Sequence, residues 1–372
     1  MKSALVMFVS ILMLFSLGII MVFNTTSAEI INKIDYAGAS TSMIKQICFG
    51  CIGLLISYVV YKIGYRNIIH YSPYLFLFLN ILLIFVYVPH IGMKVNGARR
   101  WINLFGLSIQ PSEFMKFILP CYYLNIFSKR DGKFNLKNFY ISQIPMMIPI
   151  FLIIIEPDNG SAAVLLATLV IVYFLTRIRA TYWFTPMVAV ALIGGSIALN
   201  MQYVKDRIHI YLHPEEDLLG KGHQPYQSKI AVGSGGMFGR GLGESLQKLN
   251  YLPEARNDYI AAVYAEELGF LGILFLIILY MVVVSLGFKI ACAARDLQGH
   301  YLATIYTFII ALQAFLNLGV VCGLLPSKGS NLPFFSQGGS SLLANIFMVS
   351  MILNINIERK TDRDNLCQNV LQ

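Results

Sequence analysis

Apolar and polar positions in this chain fall into blocks rather than the narrow stripes of soluble amphipathic helices. A helix needs about 20 predominantly apolar residues to cross a bilayer. Blocks near that length recur along the whole chain, at 4–23, 45–64, 73–89, 112–128, 141–155, 161–177, 183–202, 258–288, 301–324 and 339–357. The shorter ones read as tilted or broken helices. The first block follows a single Lys2 and runs to Phe23. A secretory signal has an apolar core of about 7–15 residues, so this block reads as an uncleaved span. The pattern predicts an all-α integral membrane protein of about ten transmembrane helices. It forms one polytopic domain over 1–372, with a large extracytoplasmic loop at 203–257 and a short cytoplasmic tail at 358–372.

Composition agrees. The chain is 57% hydrophobic and 13% charged, whereas soluble domains carry about 25% charged residues. Lysine and arginine set the orientation. With the N-terminus inside, inner loops hold Lys62, Arg66, Lys129, Arg130, Lys133, Lys137, Arg177, Arg179, Lys289 and Arg295, and the tail adds Arg359, Lys360 and Arg363. Outer short loops are poorer, with Lys33, Lys94, Arg99, Arg100 and Lys328. Both ends are therefore expected in the cytoplasm. The net charge of +9 is then mostly a topology signal that also suits anionic lipid. No basic face lies on a soluble module, so nucleic-acid binding has no support. No G-x-x-x-x-G-K-[ST] run occurs, which argues against ATP-driven work. Cys48, Cys51, Cys121, Cys292 and Cys322 sit in apolar segments and read as buried small hydrophobes.

Four polar clusters all map to the outer face. In "NGARRWINLFGLSIQPSEFMKF" (96–117), Pro111 suits the first turn of a helix, with Glu113 near its start. Glu113 and Lys116 are three apart and share a face. Lys116 already lies inside an apolar segment, where a charge points to function; capping plus a local ion pair is the plainer reading. In "EPDNGSA" (156–162), Glu156 and Asp158 flank Pro157 in a short turn. Either Asp158 caps the next helix, or the pair binds a divalent cation. The loop 226–258 holds six glycines between Gly233 and Gly243, beside Lys229, Arg240, Lys248 and Arg256. Glycines permit close backbone approach to a ligand, and with cations they suit a phosphate or pyrophosphate. No βαβ context surrounds them, so a dinucleotide fold is rejected. In "GLLPSKGSNLPFFSQGGSSLLANI" (323–346), prolines and glycines break helix, which predicts a re-entrant or structured outer loop.

The stretch "YLPEARNDYIAAVYAEELGFLG" (251–272) carries Asp258, Glu266 and Glu267. In a continuous helix, Glu266 would lie about 12 Å below Asp258, with Glu267 pointing roughly opposite to Asp258. The three cannot form one compact dyad. Asp258 faces the outer cavity, while Glu266 and Glu267 read as buried hydrogen-bonding or interhelix residues.

At these motifs the chain resembles the SEDS family (shape, elongation, division and sporulation proteins), polytopic peptidoglycan polymerases of bacteria. The resemblance covers nearly the whole chain, through "RRWINLFGLSIQPSEFMK", "EPDNGSA", "SGGMFGRGLGESLQKLNYLPEARNDYIAAVYAEELGFLG" and "LPSKGSNLPFFSQGGSSLL". "QKLNYLPEA" and "KGSNLPF" look more like the division branch than the elongation branch. The resemblance implies a ten-helix fold and glycosyl transfer on lipid II at the outer face, with Asp258 as the essential carboxylate. Glu113 and Lys116 match functionally important family positions. Arg256 and Asn257 depart from the usual His-Thr before the Asp, and Gln337 replaces the usual Tyr of "SYGGSS".

On this reading the donor is an already activated undecaprenyl-pyrophosphate glycan, so no nucleotide is needed. Asp258 is expected to act as general base on the acceptor hydroxyl. Lys116, Arg240, Lys248 or a divalent cation (magnesium or manganese) would stabilise the leaving pyrophosphate. Asp258 as a ligand of that cation is the alternative role. Arg99, Arg100, Glu113, Glu156, Asp158, Lys229, Ser336, Gly338, Gly339 and Ser340 complete the expected substrate-binding set. The resemblance also implies a class B penicillin-binding protein transpeptidase as partner, together with other division proteins. The rival readings are a lipid II flippase, an elongation-type polymerase and a pure division scaffold.

Overall fold

The computed structural model describes residues 2–31, 37–89, 91–95, 98–104, 107–130, 134–156, 158–188, 205, 209–217, 220, 222–248, 255–326 and 329–370. Its helices are α1 (Lys2–Ile31), α2 (Ala37–Ile63), α3 (Tyr65–Phe85), α4 (Pro111–Lys129), α5 (Leu136–Ile155), α6 (Asn159–Leu175), α7 (His223–Ser234), α8 (Ile260–Cys292), α9 (Leu297–Val321) and α10 (Gly339–Val370). Among the described residues, 7 helices are long and apolar enough to cross a membrane, namely α1, α2, α3, α5, α8, α9 and α10. The chain is a multi-pass membrane protein. Helical backbone resumes at 180–188; the remainder of the span predicted at 183–202 lies outside the described residues. So do 249–254 and much of 203–221 within the large loop.

α4 and α6 fall short of the spanning criterion for different reasons. α6 is apolar but short. α4 carries Glu113 and Lys116 and is buried along most of its length. It packs against α3, α5, α6, α9 and α10, so other helices rather than lipid surround it. Phe117 stacks on Phe347 of α10 at 4.0 Å between ring centroids. Tyr306 of α9 donates to the Phe117 carbonyl at 2.9 Å, and Asn125 donates to the Ile69 carbonyl of α3 at 2.8 Å. Such polar pairing is obligatory where no water is present to substitute. α2 and α3 instead expose Leu54, Leu55, Leu77 and Phe78, as lipid-facing helices do.

Two expectations change here. Cys121 is buried, but Cys48, Cys51, Cys292 and Cys322 are exposed. A small apolar side chain is tolerated on a lipid-facing surface as well as in a core, so apolar context alone did not decide between them. Second, a small antiparallel sheet precedes α4. Its strands are β1 (Gly92–Val95), β2 (Ala98–Leu104) and β3 (Leu107–Ile109), in the order β1-β2-β3. The register pairs Val95 with Ala98 and Ile102 with Ile109. Asn96-Gly97 between two apolar-containing runs is a strong hairpin signal. The strands are too short for alternation to stand out beside the long apolar blocks. The sheet ends at Ile109 and the chain enters α4 two residues later, at Pro111.

Candidate active site

α4 begins at Pro111 with Glu113 in its first turn. Lys116 Nζ lies 2.6 Å from Glu113 Oε1, with both residues buried. A lone buried charge would be strongly disfavoured, but a hydrogen-bonded pair is tolerated. Glu113 Oε2 is left buried without a hydrogen-bond partner. Asp158 caps α6 by accepting from Ser161 N at 3.2 Å. Its other oxygen accepts from Gln110 Nε2 at 3.1 Å and from Ser112 Oγ at 3.3 Å. Gln110 N donates to Ser340 Oγ of α10 at 2.9 Å. The outer ends of α4, α6 and α10 are thus stitched together.

These three helix N-termini open onto one cavity of about 490 Å³. α4 contributes Glu113 and Lys116, α6 contributes Asp158 through Ser161, and α10 contributes Gly339, Ser340 and Ser341 beside Gly338. Asp258 lines the same cavity from the turn before α8, with Arg256 and Asn257. Lys45 of α2 and Arg100 of β2 complete the charged lining. N-terminal dipole ends favour anions, and the cationic side chains reinforce them.

Asp258 is half-buried. Its turn is held by Asn317 of α9, which donates to the Asp258 carbonyl at 2.9 Å and to the Ser330 carbonyl at 2.6 Å. Gln337 N donates to the Arg256 carbonyl at 3.1 Å. Gly329, in the left-handed region at φ +61, is so close that an added Cβ would stand 3.4 Å from Asp258 Oδ2. Arg256 and Gln337, both departures from the usual motifs, therefore join the same two loops. The segment 329–338 is irregular but buried in protein: Leu332, Phe334 and Phe335 are fully enclosed. Ser336 is part of that scaffold, accepting from Leu332 N at 2.9 Å, and it does not line the cavity. Gly338 and Gly339 do line it. A Cβ at Gly339 would stand 2.4 Å from the Phe49 ring.

The glycine-rich loop behaves otherwise than the phosphate reading expected. α8 kinks at Gly269, with φ 67 and ψ −162, which breaks its internal hydrogen-bond ladder. The loop replaces the missing partners. Arg240 N and Gly241 N each donate at 3.0 Å, to the Glu266 and Glu267 carbonyls, while Phe270 N donates to the Gly236 carbonyl at 2.9 Å. Added Cβ atoms at Gly235 and Gly239 would lie 2.1 Å from the Ala265 and Glu267 carbonyls. The glycines do serve close backbone approach, but the backbone they approach is α8.

The loop's cations follow it. Lys248 is buried 3.0 Å from Glu267 Oε1 and also donates to Asn24 Oδ1 of α1 at 2.7 Å. Arg240 lies 3.6 Å from Glu266 Oε1, and Ser245 Oγ donates to Glu266 Oε2 at 2.5 Å. Glu266 and Glu267, read from the sequence as buried hydrogen-bonding or interhelix residues, both bond this one loop. Lys248 and Arg240 are spoken for by these carboxylates and do not line the cavity. Lys229 is exposed on α7, its stem lying over Gly323. Arg99 is exposed and donates to the Tyr87 carbonyl at 3.3 Å.

Glu156 is buried and does not line the cavity, with neither carboxylate oxygen hydrogen-bonded. Burial first, and Asp158 second, push its pKa up to about 8, against a smaller opposing pull from Arg100. Arg100 Nε donates to the Glu156 carbonyl oxygen at 3.2 Å. Lys45, Trp101 and Gln313 line the cavity but escaped the sequence reading of the site. Trp101 stands inside the 96–117 cluster without having been singled out there, whereas Lys45 and Gln313 come from segments with no polar cluster; packing brings all three together. Among the described residues, no group of three or more His, Cys, Asp or Glu stands together to hold a metal. Glu113 and Asp158 are already engaged by Lys116 and by Gln110, Ser112 and Ser161. Among the described residues these carboxylates form no cluster that would by itself hold a divalent ion.

The model of the FtsW/RodA/SpoVE family of cell cycle proteins matches residues 4–361. The chain belongs to this family. A probable peptidoglycan glycosyltransferase FtsW of Trichlorobacter lovleyi is 38% identical over 355 residues, covering 94% of this chain and 92% of the relative. The stage V sporulation protein E of Bacillus subtilis is 36% identical over 352 residues, covering 92% and 94%. Among solved structures, a chain of a peptidoglycan synthase complex that coordinates polymerization and crosslinking superposes with a TM-score of 0.76 at 23% identity, covering 95% of this chain and 97% of that one. The rod shape determining protein RodA of Thermus thermophilus gives 0.69 at 22%, covering 95% and 96%. The fold is that of this family.

Proposed function

We propose that this chain polymerises lipid II into glycan strands on the outer face of the bacterial cytoplasmic membrane, for the septal wall of dividing cells. One observation carries the reading: Asp258 shares a cavity with three helix N-termini and four cationic side chains. A carboxylate beside an anion-binding wall is what glycosyl transfer from a pyrophosphate donor requires. The acceptor 4-hydroxyl of N-acetylglucosamine attacks C1 of the donor N-acetylmuramic acid. Asp258 takes the hydroxyl proton, the C1–O bond to the pyrophosphate breaks, and undecaprenyl pyrophosphate leaves. The transition state resembles an oxocarbenium ion, by analogy with glycoside hydrolysis. Lys45, Arg100, Lys116 and Arg256 are placed to stabilise the departing charge. These cations take the role first given to Arg240 and Lys248, and Asp258 is assigned as base rather than as metal ligand. No nucleotide is used.

Relatives named FtsW support the division role, and the structural likeness to a synthase-complex chain supports a class B penicillin-binding protein as partner. Both termini are assigned to the cytoplasm from the lysine and arginine distribution. The test uses purified protein with lipid II and no other polymerase. Glycan chains from wild type and none from Asp258→Ala support the reading; chains at the wild-type rate from Asp258→Ala overturn the catalytic assignment. Lipid II scrambling in liposomes without polymer would favour a flippase.

A further inference from the structure

Gln313 of α9 lines the cavity at 3% exposure, and neither Oε1 nor Nε2 has a hydrogen-bond partner. Other amides buried in this bundle find protein partners: Asn80 donates to the Phe76 carbonyl at 2.8 Å, Asn345 to the Ser341 carbonyl at 2.8 Å and Asn125 to the Ile69 carbonyl at 2.8 Å. Gln313 does not. Its position is specific. Asn317, which holds the Asp258 turn, lies four residues further out on the same helix, so Gln313 sits about 6 Å deeper on the same face. Glu113 Oε2, also buried and unpaired, borders the same cavity. Val164 and Leu316 supply apolar lining to the same cavity.

A carboxamide offers one donating and one accepting edge without charge. Buried without a partner from the protein it disfavours the folded state, and a substrate in the cavity is placed to supply its partners. The pyrophosphate is served by the cations, whereas Gln313 and this apolar lining match a neutral group with N–H, C=O and a methyl. We propose that Gln313 determines sugar specificity by hydrogen-bonding the acetamido group of an amino sugar in the lipid-linked substrate, with Val164 and Leu316 receiving the methyl. This rests on the polymerase reading and names the sugar contact within it.

The experiment compares lipid II with an analogue whose sugar acetamido groups are replaced by free amines, measuring affinity for purified full-length chain in nanodiscs alongside polymerisation. Wild type is expected to prefer the acetylated substrate, and Gln313→Leu to weaken its binding about tenfold or more while leaving the analogue's affinity unchanged. The substrate-free thermal midpoint of Gln313→Leu should hold or rise, because an unpaired amide has been replaced by an apolar group of similar size. Gln313→Met provides the same readout if the leucine variant does not fold. A wild type that does not discriminate, a variant that weakens both substrates alike, or one with unchanged affinity for lipid II overturns the inference. Discrimination in binding with no polymer formed would sustain it and defeat the polymerase reading instead.

Discussion

A lysine can stand inside an apolar helix when a carboxylate lies one turn away and protein surrounds both. Lys116 and Glu113 meet those conditions. Removing one member leaves the other buried and uncompensated, which costs about 3–5 kcal/mol. Lys116→Met is therefore expected to lower the thermal midpoint markedly, and Lys116→Met with Glu113→Leu to recover part of the loss. Polymerisation should fail in both, because the double change restores packing and not charge. Glu156 makes a pH-dependent prediction. Its pKa is raised to about 8 in the fold, against about 4.3 when solvated. The folded state then holds a proton that the unfolded state has lost, so stability from this group is fullest below the lower value. It declines as pH rises towards 8 and is flat above. Thermal melts of Glu156→Gln should show a midpoint advantage over wild type that grows across that window and then levels.

At the scale of elements, the informative unit is α8 with the loop that mends its kink. A broken helix at membrane depth needs other protein to satisfy the freed backbone groups, and 236–241 do so for 266–270. Gly239 has φ +80 and a Cβ there would meet the Glu267 carbonyl at 2.1 Å. Gly239→Ala should thus destabilise the protein strongly and lower polymerisation as the loop shifts, as read by melts and gel analysis of glycan products. Lys248→Met, which strands Glu267, should cost about 3–5 kcal/mol, with much of the loss recovered in Lys248→Met with Glu267→Leu. The sequence made the glycines and cations conspicuous, and a ligand was the simple explanation. A helix kink is invisible in composition, because Gly269 looks like any glycine in an apolar run until its dihedral angles are known.

At the scale of the molecule, an up-and-down bundle places alternate helix starts on the same side. That alone brings the N-termini of α4, α6 and α10 to one face, where polar clusters and Asp258 also map. The topology is testable in a cysteine-free background, since Cys48, Cys51, Cys292 and Cys322 are exposed. Phe238 is 80% exposed on the glycine-rich loop. A cysteine at Phe238 should react with an impermeant maleimide added to intact spheroplasts, and one at Lys360 only after lysis. The reverse pattern would invert the assigned orientation and move the cavity to the cytoplasmic side.

Length and hydropathy of the blocks determined the membrane class, because the bilayer imposes its thickness on any helix that crosses it. The lysine and arginine bias supplied an orientation, and Pro111, Asp158 and the glycine-rich motifs marked ends and loops through local backbone rules. Those rules are local, so sequence alone carries them. Which charges face the cavity is a question of distances between segments far apart in the chain. Lys116, Asp158 and Asp258 enter it, whereas Lys248 and Arg240 are drawn away to Glu267 and Glu266. Lys45 and Gln313 join from helices outside the four polar clusters. Only the tertiary structure decided these, because the energy of a buried charge or amide depends on what packing sets beside it.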